Sequence, residues 1–249
     1  MKVRIGCCGF PVAKSNYYKA FSVVELQSTF YQLPQPDTAR RWRTEAPLHF
    51  EFCLKAWQVI THPPSSPTYR RMSQRLRQWA GNKAGFFQAV PVVQEAWQRT
   101  ALIARSLQAR IILFQCPPMF QENDSHLTNL YRFFQEVNTN EFLCVIEFRA
   151  PWNPATIQQL CTDLHLIHGV DPFKEDPVCG DVVYLRLHGS PPGKQPYCYQ
   201  YRDADLQRLL HKIRHYQTTA SQVYCLFNNL SMWDDAHRFQ QLLRSSSGR

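Results

Sequence analysis

Glycine is scarce in this chain, nine in 249 residues, and only four methionines accompany them. None of the glycines builds the G-x-G-x-x-G or G-x-x-x-x-G-K loop that opens a nucleotide-binding doubly wound sheet. No apolar run approaches the ~20 residues needed to span a bilayer. Internal repeats and low-complexity linkers are missing too, which argues against solenoids and flexibly joined arrays. The nine cysteines (Cys7, Cys8, Cys53, Cys116, Cys144, Cys161, Cys179, Cys198 and Cys225) form no C-x-x-C pair. An odd, scattered set is a poor disulfide framework and a poor zinc or iron–sulfur site. Most lie in apolar strand-like runs, where cysteine packs as a small hydrophobe. Acidic residues are outnumbered 19 to 28, leaving a formal charge of +9 that favours anionic partners. The densest basic stretch, Arg70, Arg71, Arg75 and Arg77, falls on a predicted helix and reads first as a solvated helix face. Residues Met1–Gly6 enter a strand pattern without an apolar leader. The expectation is a cytoplasmic protein with no membrane contact.

What the chain does have is eight short apolar runs: Val3–Cys8, Val23–Gln27, Phe50–Lys55, Ile111–Gln115, Phe142–Glu147, Leu164–Gly169, Val182–His188 and Gln222–Asn228. Near-continuous hydrophobic runs suit strands buried on both faces of a parallel sheet. Helix-like stretches lie between most of them, at Asp37–Glu45, Ser65–Ala80, Val93–Gln108, Ser125–Glu136, Pro154–Asp163, Asp203–Thr218 and Trp233–Leu243. Eightfold strand–helix alternation over a length near ~250 residues predicts an α/β fold of the TIM-type (β/α)8 barrel class. The helices after strands one and six are expected to be irregular or missing. The whole chain, 1–249, is expected to form one domain, with Ser245–Arg249 frayed.

Most of these runs begin apolar and end polar. Strand two ends with Glu25 and Gln27, strand three with Lys55, strand four with Gln115, and strand five with Glu147 and Arg149. Strand seven ends with Arg186 and His188, and strand eight with Asn228 and Asn229. Residues two apart on a strand share a face, so each pair can point inward together. Active sites of such barrels are built at the C-terminal ends of the strands. The competing reading is a structural network of Arg–carboxylate pairs, but burying so many charges for stability alone is costly, several kcal/mol for each unpaired ion.

These strand ends resemble those of the family called domain of unknown function 72, or YecE-like. The carrying segments are Ile5-Gly6-Cys7-Cys8-Gly9-Phe10, Val24-Glu25-Leu26-Gln27-Ser28-Thr29-Phe30-Tyr31, Leu54-Lys55-Ala56 with Ile60-Thr61-His62, and Phe114-Gln115-Cys116-Pro117-Pro118. Glu147-Phe148-Arg149, Tyr184-Leu185-Arg186-Leu187-His188-Gly189 and Phe227-Asn228-Asn229 complete the set. The resemblance implies a TIM-type barrel and supplies no reaction. The chain departs from the family pattern at three places. Cys7-Cys8-Gly9-Phe10 stands where relatives carry Thr or Ser, then Ser-Gly-Trp or Ser-Gly-Tyr. Gln27 replaces an Asn, and Leu230-Ser231-Met232-Trp233 replaces a glycine-rich stretch.

Four chemistries stay open. The first is an enzyme for a small phosphorylated or carboxylated molecule. There Arg149, Arg186 and Lys55 hold the anion, with Gln115, Asn228, Tyr31 and His62 also lining the site. Glu25, Glu147 and His188 are the acid/base candidates, and His188→Ala or Glu25→Gln is expected to remove activity while folding survives. Tyr31 reads more simply as loop packing, and Tyr201 is a second candidate cover. The second is a metal-dependent hydrolase or isomerase using Glu25, Glu147, His188 and His62. It is disfavoured by the arginines two residues from Glu147 and His188, and by the absence of H-x-H, H-x-E or H-E-x-x-H spacing. The third is a nucleic-acid-binding protein or nuclease, motivated by Arg70–Arg77 and by Tyr197, Tyr199, Tyr201 and Arg202. The fourth is a non-catalytic barrel that binds a metabolite or a protein partner. A reactive thiol at Cys7 or Cys8 is weaker than the packing explanation.

Overall fold

The computed structural model describes residues 2–189 and 197–246. In chain order the elements are β1 Lys2–Cys7, α1 Lys14–Ala20, β2 Val23–Leu26, α2 Ser28–Tyr31, α3 Pro36–Glu45, β3 Glu51–Lys55, α4 Gln58–Thr61, a 3-10 turn Pro67–Arg71, α5 Gln74–Ala80, α6 Pro91–Leu107 and β4 Ile111–Gln115. They continue with α7 Asp124–Glu136, β5 Leu143–Glu147, α8 Pro154–Leu164, β6 Ile167–Val170, β7 Val182–Leu187, α9 Asp203–Tyr216, β8 Gln222–Phe227 and α10 Met232–Ser246. The eight strands close into one barrel in sequence order, with parallel pairing. Their residues are almost all buried; β7 is buried at all six positions, as expected for a parallel sheet covered on both faces.

Local chemistry sets the boundaries. Proline occupies the first turn of α3, α6 and α8, where its fixed φ and missing N–H cost nothing. Asn123 and Asn153 cap α7 and α8 through their side-chain oxygens, each at 2.9 Å. The helix expected over Ser65–Ala80 is broken. Ser66 caps the 3-10 turn, Met72 is extended (φ −87°, ψ 150°), and Ser73 caps α5 afresh. Arg70 and Arg71 therefore lie on the turn while Arg75 and Arg77 lie on α5, so the basic stretch is not one helix face. Helix α8 runs on to Leu164 and stops at His165 in the left-handed region (φ 53°), which moves β6 three residues beyond its expected start. After β1 the helix is short, and the link from β6 to β7 carries no helix. Of the expected tail, Ser245 and Ser246 continue α10; residues 247–249 lie outside the described residues.

Cα packing divides the chain into two compact units. One comprises Met1–Glu25, Pro47–Glu51 and Ile167–Arg249; the other comprises Leu26–Ala46 and Phe52–Leu166. In the first, polarity is not confined to the C-terminal ends of strands. Arg4 of β1 is 5% exposed and is ion-paired with Glu51 at the start of β3. Glu51 also accepts a 2.7 Å hydrogen bond from Tyr224 of β8, a residue in register with Arg4. This cluster sits toward the strand starts, away from the end where such barrels build their ligand sites, and so serves the fold. In the second unit α3 packs on α6, and α7 on α8. Among the described residues no helix is long and apolar enough to cross a membrane.

Candidate functional site

The predicted residues fall into two clusters, one in each unit. In the first unit β2 and β7 deliver Glu25 and Arg186, both with wholly buried side chains. Arg186 Nε donates to Glu25 Oε2 at 2.9 Å and Nη2 donates to Oε1 at 2.8 Å, a bidentate fork of the strong kind. Tyr184, two residues earlier on the same face of β7, donates its hydroxyl to Glu25 Oε2 at 2.7 Å. Arg186 Nη1 lies 3.1 Å from His188 Nε2. Arginine can only donate, so Nε2 accepts and the proton sits on Nδ1, 3.3 Å from Asp171 Oδ2. Both ring nitrogens of His188 therefore have protein partners, and every nitrogen of Arg186 is engaged.

Asp171 anchors this chain. Burial pushes its carboxyl up, but the His188 contact and the Phe173 and His188 amides outweigh burial and hold it below its usual range. It directly follows β6, so it obeys the same strand-end rule as the predicted residues. The sequence pattern ends this strand at Gly169, two residues before Asp171, and so leaves it in the loop. Tyr184 was missed because a tyrosine inside an apolar run reads as core. Cys8 is fully buried, and burial followed by the neighbouring Glu25 charge pushes its thiol well above the ordinary value. Burial likewise pushes Cys7 up to about 12. Neither thiol is poised to ionise. Asn228 is half-buried at the end of β8, while the buried Asn229 is tied to Tyr199 O, Ser231 and Asp235. Tyr201 is buried and accepts a 2.8 Å hydrogen bond from the Gly189 amide.

In the second unit β3, β4 and β5 deliver Lys55, Gln115 and Glu147, the last two in register. Lys55, 6% exposed, donates from Nζ to Gln115 Oε1 at 2.8 Å and lies 3.8 Å from the centre of the Phe30 ring. Thr29 of α2 ties Lys55 in place by donating to its carbonyl at 2.7 Å. Arg149 Nε pairs with Glu147 Oε1 at 2.6 Å, and its side chain keeps 20% exposure. His62 follows α4, edge-on to Phe30 at 4.8 Å, with Nδ1 2.8 Å from the Thr61 hydroxyl. Burial, then the positive charges of Lys55 and Arg149, pull its pKa down to about 3. Tyr31 is half-buried, with the Arg71 guanidinium 4.0 Å over its ring.

The His62 loop is held from outside by consecutive amides. Gly85, Phe86 and Phe87 donate to the carbonyls of Val59, Thr61 and Ile60, and all three have left-handed φ (90°, 54° and 54°). A Cβ on Gly85 would sit 2.3 Å from His62 O. Gly85→Ala is expected to cost about 2 kcal/mol, from αL strain and displacement of this loop; chemical denaturation measures it, and a loss within ~0.5 kcal/mol of wild type would show the loop to be plastic.

Among the described residues, no three His, Cys, Asp or Glu side chains group to hold a metal ion. The fold and these clusters define a (β/α)8 barrel carrying buried ion pairs at the C-terminal ends of its strands. The chain belongs to the family described as protein of unknown function DUF72, whose model matches residues 15–248. That match begins after the Ile5–Phe10 segment and reaches past Asn229 to the end of α10. The chain is 24% identical to the UPF0759 protein YunF of Bacillus subtilis over 91% of this chain and 84% of that protein. Its fold matches a DUF72 family protein of Enterococcus faecalis V583 with a TM-score of 0.74 at 18% identity, covering 99% of this chain and 98% of that one. A DUF72 family protein of Thermotoga maritima MSB8 matches at 0.73 and 18% identity, covering 98% and 100%.

Proposed function

We propose that the protein binds a small anionic molecule, a phosphate or a carboxylate, at the C-terminal ends of β3, β4 and β5. One observation carries the reading: Lys55 and Arg149, from the ends of β3 and β5, both bear on one buried, neutral histidine, His62. Two cations stand there against one carboxylate, Glu147. The Glu25–Arg186 cluster has the opposite balance, with two carboxylates, Glu25 and Asp171, against one guanidinium. Arg186, once an obvious anion holder, is fully engaged and wholly buried, whereas Arg149 reaches solvent. Gln115 and neutral His62 supply uncharged hydrogen-bonding groups around the anion.

An anion between Lys55 and Arg149 screens His62 from both, so binding raises the His62 pKa. Titration with inorganic phosphate and with malonate, followed by NMR of the imidazole nitrogens, tests this directly. The expected result is a ligand-dependent upward shift at His62, with affinity falling about tenfold or more in Lys55→Met and in Arg149→Leu, as for loss of one charge-assisted contact. Unchanged affinity in both variants, or a His62 resonance indifferent to either anion, would overturn the reading.

A further inference from the structure

Outside the strand-end clusters, the second unit holds a cleft of about 600 Å³ lined by the loop of residues 32–36, Trp57, α5 and α6. That volume lies in the range of small-molecule sites, roughly 300–1,000 Å³. Its wall is built in an ordered way. Trp57, 1% exposed, lies two residues after β3 and is fixed by its indole N–H, 3.4 Å from Tyr31 O. Trp79 of α5 stacks on it with ring centres 5.1 Å apart and planes 4° from parallel. The Arg99 guanidinium of α6 lies 4.6 Å from the Trp79 ring centre. Two parallel indoles and a guanidinium thus form one column along the cleft. Arg75 is the second charged residue of the lining, Gln35 brings an amide, and the lining contains no acidic side chain. Leu102, 46% exposed, adds an apolar edge. Among the described residues Arg99 is ion-paired with Glu95, an exposed i,i+4 partner, and such pairs contribute little and exchange readily.

We infer that this cleft is a second ligand site, for a small molecule with a planar aromatic body and one anionic group. The aromatic body stacks against the column, on the guanidinium plane that the indoles hold in place, since arginine stacks on aromatic faces. The anionic group is taken by Arg75, with Arg99 turning from Glu95 to share it. Neither a neutral ring nor a bare anion uses both halves of the lining. The site is independent of the Lys55–Arg149 reading.

Saturation-transfer NMR and calorimetry on the full chain test this, with adenosine 5′-monophosphate and 4-hydroxybenzoate as probes and adenosine and inorganic phosphate as half-ligands. At least one probe is expected to bind, with each half-ligand tenfold or more weaker at this cleft. Trp79→Leu and Arg75→Gln are each expected to weaken the probe at this cleft about tenfold. Circular dichroism and a melting curve confirm that the variants fold; should Trp79→Leu fail that check, Arg75→Gln, at an exposed position, carries the decision. Binding of neither probe, or full affinity in Arg75→Gln, would overturn the assignment.

Discussion

Arg186→Met is expected to destabilise the protein by about 3–5 kcal/mol, because it leaves the Glu25 carboxylate buried without its fork. Glu25 and Arg186 are both wholly inside, so water cannot replace the lost partner as it would at the surface. Glu25→Gln should also lose stability, which revises the expectation that this substitution spares the fold. A triple replacement, Glu25→Met with Arg186→Met and Tyr184→Phe, removes both charges and the hydroxyl that bonds Glu25. It is expected to recover most of the loss, since well-packed apolar groups often substitute for a buried ion pair. Urea unfolding of the four proteins is the measurement. A loss under ~1 kcal/mol in Arg186→Met would show that water reaches Glu25 and that the pair is not a structural element.

Acid should unfold the protein through His62. Its folded pKa, pulled down to about 3 by burial and then by Lys55 and Arg149, lies below the ordinary value near 6.5. Between those values the unfolded chain binds a proton that the folded chain refuses. Stability is therefore complete above about pH 6.5 and falls as pH drops toward 3. By linkage each unit is worth about 1.4 kcal/mol, so the loss from this group reaches about 3 kcal/mol at pH 4.5. Carboxylates titrate toward the acid end of this range, so the informative quantity is the difference between wild type and His62→Gln. The variant is expected to show a shallower dependence between pH 6.5 and 4.5, whatever its stability at neutrality. Parallel curves would mean that His62 protonates freely and that the cations beside it are screened. Phosphate, if it occupies the β3–β5 site, should flatten the wild-type curve as the His62→Gln substitution does.

These expectations separate two roles that look alike along the chain. Glu25, Arg186, Glu147 and Arg149 all stand at strand ends and all alternate with apolar neighbours. Period two says which residues share a face, and the rule that barrel sites form at the C-terminal ends says where they gather. It does not say who pairs with whom. Glu25 and Arg186 are 161 positions apart, and only the packed barrel makes them partners. Likewise 0% and 20% exposure distinguish Arg186 from Arg149, and no local pattern encodes that difference.

The boundary of one element carried further than its size. Because His165 takes the left-handed turn that ends α8, β6 begins late and Asp171, not Val170, follows its last residue. A non-glycine residue in that conformation leaves little trace in the sequence. The Arg4–Glu51 pair escaped notice for a different reason: an arginine near the start of a strand reads as a solvent-facing end, and only closure of the sheet turns it inward.

The amino-acid sequence by itself determined the eight buried strands, their parallel barrel, the gathering of charge at strand ends and the family, because burial pattern and spacing are local properties of the chain. Tertiary structure alone decided which of those charges neutralise one another, which cation keeps access to solvent, and that Trp57, Trp79 and Arg99 stack beside a cleft. Those are relations between residues on different elements, and the energy of a charge or a ring depends on what is packed against it rather than on its neighbours in sequence.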